Sequence, residues 1–592
     1  MGAAGVAIAM GRSWSSGSGS EASLTLPSCG DGTGADTDEH PRRGPDPAGS
    51  NSLRRDALSI TTIPAPAAGG GVVATEAARR RTFAIISHPD AGKTTLTEKL
   101  LLYSDAIDEA GAVQGRRSRR STTSDWMDIE RRRGISVTST VLRFEHAGTV
   151  LNLLDTPGHK DFSEDTLRVL AAADCAVMLL DAAKGVEPQT LRLFEVARAR
   201  GIPLITFVNK YDRPGLDPLE MIDHIERVLD LTPVAATWPV GIPGDFRGVV
   251  DRASATFHRF TRTAGGATRA PEELLCAERA AEREGEAWTA AAEELELLDG
   301  AGGTLDGADF ARGRATPVFF GSAVSNFGVG LLLDALLRIA PSPRARDDVD
   351  GMARPVGAPF SGLVFKVQAN MDPRHRDRVA FLRVCSGRFE RGMRVTNARS
   401  GRPFTLAHAH EVFGDDRVVL DEAFPGDVVG VINAADLRVG DTLYLDEPVE
   451  FPPIPTLAPE HFVTVRNRDA TRHKQFHRGL EQLAEEGVVH LLRRDPGADP
   501  APVLAAVGPL QFEVAVARLE QEFGVAVGLD PTNWTLARRT DAEGAKVLRA
   551  SRHADVLYRS DGTFMALFTS EFMLDRFEKL HPDVVLERML TR

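Results

Sequence analysis

The residues best suited to chemistry sit in four short stretches. The first is Ser87-His88-Pro89-Asp90-Ala91-Gly92-Lys93-Thr94. Its spacing is that of a P-loop, G-x-x-x-x-G-K-S/T, with Ser87 in place of the first glycine. Backbone N–H groups of such a loop wrap an anion, Lys93 reaches the outer phosphates, and the Thr94 hydroxyl is a ligand for Mg²⁺. The second is Asp155-Thr156-Pro157-Gly158-His159. Asp155 is placed to hold Mg²⁺ directly or through water. Gly158 lets its N–H approach the terminal phosphate, where a Cβ would obstruct it. His159 follows, at a position from which a side chain orients or polarises the attacking water, and is the expected catalytic residue. The third stretch is Asn209-Lys210-Tyr211-Asp212. A carboxylate at Asp212 accepts from both N1–H and the 2-amino group of guanine. Adenine has neither donor there and would leave the carboxylate unpaired, at a cost of roughly 1–3 kcal/mol. Lys210 can lay its alkyl stem over the base. The fourth is Gly321-Ser322-Ala323, where backbone N–H groups around Ser322 and Ala323 can reach guanine O6.

Taken singly, each stretch has an ordinary explanation. An isolated N-K-x-D is usually a polar turn, and D-x-x-G is short. Their occurrence in this order, each after an apolar run, points to a GTP-binding domain with GTP and GDP as its nucleotides and Mg²⁺ as its metal. The runs that must position them are Phe83–Ile86, Thr149–Leu154, Ala176–Leu180, Pro203–Val208 and Pro317–Phe320, with helices opening at Lys93 and over Thr190–Arg200. Apolar strands buried on both faces and separated by helices predict an α/β fold with a parallel, doubly wound sheet. Ligand loops in such sheets lie at the carboxyl ends of the strands, so one site collects all four stretches.

The chain has 592 residues, too many for one core, and its 42% hydrophobic and 26% charged content is that of a globular protein. A net charge of −13 gives no overall attraction to nucleic acid, so any RNA contact needs local basic patches. No apolar run is long enough for a membrane span. Four cysteines are scattered without a C-x-x-C pair, which gives no zinc spacing. Residues 1–78 are rich in Gly, Ser, Ala and Pro and lack periodicity, which reads as a disordered extension. A transit peptide for an organelle and a start placed upstream on a bacterial gene fit that extension equally well.

Residues 79–345 read as the GTP-binding domain, with an inserted subdomain around 240–310 that carries an acidic stretch over Pro271–Leu298. The arginine-rich segment Gly115–Ser136 reads as a surface loop. A Pro- and charge-rich linker follows, and then short β-rich runs over 357–448 predict an antiparallel β-barrel. Residues 453–592 read as a C-terminal α+β domain, whose βαββαβ order from Phe462 is ferredoxin-like. Phe512, Val516, Leu519 and Phe523 form an apolar stripe expected in its core. Arg466, Arg468, Arg472, His473 and Lys474 cluster there, and Arg374, His375, Arg376 and Arg378 cluster in the barrel. Each cluster is either a solvated basic loop or a contact for RNA phosphates.

SHPDAGKTT, SDWMDIERRRGIS, LLDTPGH, DFSEDT, ITFVNKYDR and PVFFGSAVSNFGV resemble the translational GTPases, and within them the bacterial class II peptide-chain release factors. FKVQANMDPRHRDRVAFLRVCSG and AVGPLQFEV extend the resemblance to the later domains. It implies a ribosome-stimulated GTPase of translation termination, acting as a cytoplasmic monomer on the ribosome. Its partners would be ribosomal RNA and proteins and the class I release factors whose dissociation it promotes. It also implies that Ser136 stands where elongation factors carry a Mg²⁺-coordinating threonine. Lys160 departs from the family pattern, which commonly has an acidic residue after the histidine. Two alternatives remain open at this stage. One is a translocase or ribosome-protection GTPase similar to elongation factor G. The other is a GTP-dependent binding module without useful hydrolysis.

Overall fold

The computed structural model describes residues 71–107, 139–263, 266–300, 304–369, 378–413, 416–432, 434, 436–494, 501–551, 553–559 and 561–589. Most of the N-terminal extension, the arginine-rich segment with Ser136, and Arg374, His375 and Arg376 lie outside them. The extension read as disordered ends in a short helix, Val72–Ala78. Its Glu76 takes ion pairs from Arg79 and Arg80 at 3.1 and 2.7 Å, local contacts that a compositional reading does not register.

The first sheet begins with β1 (Arg80–Ser87), β2 (Thr140–His146), β3 (Thr149–Asp155), β4 (Cys175–Asp181), β5 (Leu204–Asn209) and β6 (Thr232–Ala235). The chain then leaves to build a separate four-stranded antiparallel sheet from β7 (Thr237–Ile242), β8 (Asp245–Asp251), β9 (Thr256–Phe260) and β10 (Glu272–Leu275). It returns as β11 (Ala315–Phe320), giving a seven-stranded sheet of order β2-β3-β1-β4-β5-β11-β6. All neighbours are parallel except β2, which forms an antiparallel hairpin with β3. The sheet is therefore mixed rather than wholly parallel. The two-residue turn Ala147-Gly148, with φ of 48° and 75°, makes that hairpin possible.

Both faces of this sheet are dry. Phe83 and Ile85 of β1 enter one apolar cluster, and Ala84 and Ile86 enter the opposite one. Helix Lys93–Tyr103 packs on the first face through Leu96, Leu100 and Leu101. Helices Ser163–Ala172, Pro188–Ala199 and Pro218–Leu229 pack on the second through Val169, Leu193, Met221 and Ile225. In the inserted part the acidic stretch is not simply a solvated face. Glu284 is buried and takes Arg247 at 3.1 Å and Arg259 at 2.7 Å, and Trp238 Nε1 donates to Glu294 at 2.8 Å.

Next comes an antiparallel barrel sheet built around Ser361–Ala369, Arg378–Ser386 and Val428–Ile432. Its turn Pro425-Gly426-Asp427 meets the underside of the GTPase sheet. The Gly426 carbonyl accepts from Thr82 Oγ1 at 2.7 Å, Arg383 Nη1 at 2.9 Å and Asn152 Nδ2 at 3.2 Å. Arg80 Nε pairs with Asp427 at 2.8 Å, with both side chains buried.

In the C-terminal part, strands His461–Asn467, His490–Arg493, Val503–Ala506 and Val527–Pro531 alternate with helices His473–Glu486 and Leu510–Phe523 in the βαββαβ order. Phe512 and Leu519 are buried in the core, and Val516 and Phe523 are packed against it. The sheet does not stop at Pro531. Strands Leu536–Thr540, Asp555–Arg559 and Phe564–Phe568 extend it to seven strands, covered by helices Ala542–Ser551 and Glu571–Leu580. No helix among the described residues is long and apolar enough to cross a membrane.

Candidate functional site: a nucleotide cradle at the strand ends

β1 ends at Ser87, and the loop that follows turns back sharply. Asp90 and Gly92 have φ of 66° and 97°. A Cβ on Gly92 would meet Asn209 Nδ2 at 2.5 Å, so only glycine permits both the turn and the close approach. Helix Lys93–Tyr103 starts directly after it, with Thr94 in the first turn. Lys93 opens the helix that follows β1, Asp155 ends β3, the neighbour of β1 in the sheet, and Lys93 Nζ donates to Asp155 Oδ1 at 2.6 Å. Thr156 Oγ1 donates to the Ile85 carbonyl at 2.6 Å and fixes the second stretch to β1. Pro157 is buried, Gly158 is half-buried, and space beyond the Gly158 Cα is open. Ser87 and His88 are buried, and Ser87 Oγ and His88 Nε2 find no hydrogen-bond partner among the described residues.

Asn209 braces the site. Its Nδ2 donates to the Ala91 carbonyl at 2.7 Å, and its Oδ1 accepts from the Ala323 N–H at 2.8 Å. One side chain at the end of β5 thus holds the phosphate loop and the loop after β11 together. Lys210 has φ of 64°, and its Nζ donates to the Asp90 carbonyl and to Asp181 Oδ2, the latter at 2.9 Å. Asp212 is half-buried.

The structure adds partners that the sequence reading did not foresee at three of these residues. Tyr211 lies within the base-reading stretch, but its ring is buried edge-on to Phe246 and Phe320 at 5.1 and 5.6 Å. It is a core residue, and only its backbone belongs to the loop. The Ala323 N–H, expected to meet guanine O6, is committed to Asn209. The Ser322 N–H donates to the Phe327 carbonyl at 3.0 Å, which closes a small turn. The base loop is therefore shaped by its own hydrogen bonds, and a sequence shows none of these.

His159 caps a short turn, Lys160–Phe162, ahead of helix Ser163–Ala172. Its Nδ1 accepts from the Asp161 N–H at 3.2 Å, and the ring is partly exposed.

Asp181 and Glu187 are absent from the sequence reading. Asp181 ends β4 and anchors Lys210. Burial opposes its ionisation, but Lys210 and the Ala183 N–H outweigh this and hold its pKa below the usual carboxylate range. Glu187 pairs with His88 Nδ1 at 2.6 Å. Burial of His88 lowers its pKa despite that carboxylate. Asp181 was within reach of sequence logic, because it closes the apolar run Ala176–Leu180 at a carboxyl end. Nothing local marks Glu187.

The donor set suits a nucleotide with a hard cation. It offers a buried ammonium, loop N–H groups at a helix start, a hydroxyl at Thr94 and a carboxylate at Asp155. This sheet with these strand-end loops, joined to a β-barrel, defines a GTPase of the translational type.

The comparisons agree with that class and narrow it. Residues 78–342 match the elongation factor Tu GTP-binding domain, 359–446 match elongation factor G domain 2, and 451–578 match the class II release factor RF3 C-terminal domain. The chain is 54% identical over 473 residues to peptide chain release factor 3 of Gloeobacter violaceus, covering 79% of this chain and 88% of that protein. It is 48% identical over 512 residues to that of Symbiobacterium thermophilum, covering 86% and 97%. A solved structure from Thermus thermophilus superposes with a TM-score of 0.61 at 27% identity, covering 78% of this chain and 69% of that one. The chain belongs to the peptide chain release factor 3 family and is a GTPase of translation termination. The C-terminal match decides against the translocase alternative.

Proposed function

We propose that this protein works on the ribosome, where it promotes dissociation and recycling of class I release factors and hydrolyses GTP under ribosomal stimulation, as a cytoplasmic monomer. The observation that carries the reading is the convergence of Lys93, Asp155 and the Asn209 brace at the ends of adjoining strands, in a chain whose relatives are named peptide chain release factor 3. Lys93 and the N–H groups from Ser87 to Thr94 hold the phosphates. Thr94 and Asp155, with Ser136, would hold Mg²⁺, which when bound supplies charge neutralisation at the outer phosphates. Gly158 offers its N–H to the terminal phosphate. His159 orients the attacking water, and Asp212 selects guanine. Phosphoryl transfer needs mainly positioning and electrostatic stabilisation, so turnover is expected to be slow until a partner orders the site.

The test is GTP turnover with and without terminating ribosomes carrying a class I release factor. Stimulation by that complex, with faster loss of the class I factor, is the expected result. Turnover indifferent to ribosomes would overturn the reading. So would GTP-driven movement of the transfer RNAs.

A further inference from the structure

His159 and the C-terminal part of the chain meet at one residue, Asp161. Asp161 is buried, and its two oxygens face different ways. Oδ1 lies 3.6 Å from His159 Nδ1, just beyond hydrogen-bond reach. Oδ2 accepts from the Leu510 N–H at 2.9 Å, at the start of helix Leu510–Phe523. The joint is tight. A Cβ on Gly508 would lie 2.0 Å from Asp161 Cγ, and Phe162 is buried against Leu510 and Val514. The following helix is clamped to the same part of the chain. Glu164 meets His490 at 3.0 Å, and Arg168 Nη1 donates to the Glu486 carbonyl at 3.0 Å.

This geometry sets the state of the histidine ring. Nδ1 accepts from the Asp161 N–H, so a neutral ring carries its proton on Nε2 and that nitrogen is a donor. A carboxylate closing on Nδ1 would place the proton there instead and make Nε2 an acceptor, able to orient a water by accepting its hydrogen. Leu510 holds the other oxygen of that carboxylate.

We propose that Asp161 is a positioning residue shared between His159 and the C-terminal domain. Docking of that domain holds His159 in its donor form, and undocking releases Asp161 to turn Nε2 into an acceptor. This rests on the reading of His159 given above. The switch moves one proton between the two nitrogens of one ring and needs no further reactant.

The test uses the full chain without ribosomes. Gly508→Ala, which forces Asp161 away from Leu510, is expected to raise kcat for GTP on the order of five- to tenfold with KM unchanged, the size of an ordinary coupling between sites. Val514→Ala, a smaller cut in the same joint, is expected to raise it less. Neither gain should survive in a His159→Ala or an Asp161→Ala background, a dependence that mere loosening of the fold would not produce. A gain that persists without His159 overturns the proposal. So does an unchanged or reduced kcat in both single variants when nucleotide affinity is intact. If His159→Ala itself retains full ribosome-stimulated turnover, the reading of His159 fails. If the unmodified chain turns over no GTP even with terminating ribosomes, the function does.

Discussion

Lys93 Nζ and Asp155 Oδ1 lie 2.6 Å apart with their side chains only 6% and 3% exposed, so the lysine proposed to hold phosphate and the carboxylate proposed to hold Mg²⁺ are paired with each other. On the proposed reading, phosphate draws Lys93 from that pair. Lys93→Ala is therefore expected to do two separable things. It removes nucleotide binding, and it destabilises the nucleotide-free protein by about 3–5 kcal/mol because Asp155 is left buried and unpaired. The double variant Lys93→Ala/Asp155→Ala should regain part of that stability without regaining binding. Titration with a fluorescent GDP analogue and urea unfolding read the two effects. Tight nucleotide binding by Lys93→Ala would contradict the site.

Asn209 makes a different prediction, because its two bonds join loops rather than touch a reacting group. Asn209→Ala removes a donor from the Ala91 carbonyl and an acceptor from the Ala323 N–H. Each loss costs about 1–3 kcal/mol where the orphaned group stays buried. Nucleotide affinity should fall by at least about tenfold, with GTP and GDP affected alike. A loss confined to GTP would place Asn209 at the terminal phosphate instead.

Asp212 is the residue proposed to choose the base. Asp212→Asn replaces an acceptor-only group with one that also donates. Guanine presents a 2-amino donor and xanthine a 2-oxo acceptor, so preference should move from GTP towards xanthosine triphosphate. Competition between the two nucleotides measures the shift, and unchanged selectivity removes Asp212 from base recognition.

What could be read from the sequence was what chemistry dictates locally. Lys93, Thr94, Asp155, His159, Asn209 and Asp212 stand at the carboxyl ends of apolar runs because ligands bind there in open α/β sheets. β3 and β4 extend the expected runs by one and two residues, and β5 is its expected run shifted by one. What escaped depends on distant partners. The Asp161–Leu510 bond joins residues 349 positions apart, and the His88–Glu187 pair leaves no trace in spacing. The inward turn of the Tyr211 ring was not legible either, because membership of a motif says nothing about which way a side chain turns. The last three strands were not foreseen, because the βαββαβ pattern already looked complete at Val525–Leu529. Their edge pairing between Leu492–Arg493 and Tyr558–Arg559 is a tertiary event.

The clamp at Glu164 gives a pH dependence with a definite sign. Burial opposes ionisation of this carboxyl, but His490 and then Arg168 beside it outweigh the penalty and hold its pKa at about 2, below its ordinary 4.5. A carboxyl whose pKa falls on folding adds stability above its unfolded value and loses it as pH drops through the folded one. The contribution here, about 3 kcal/mol by that shift, should be complete above about pH 5 and fade towards pH 2. Urea midpoints of the unmodified chain and Glu164→Gln should therefore differ above about pH 5, and the gap should close through that acid window. A gap independent of pH would show that Glu164 holds the C-terminal domain by shape alone.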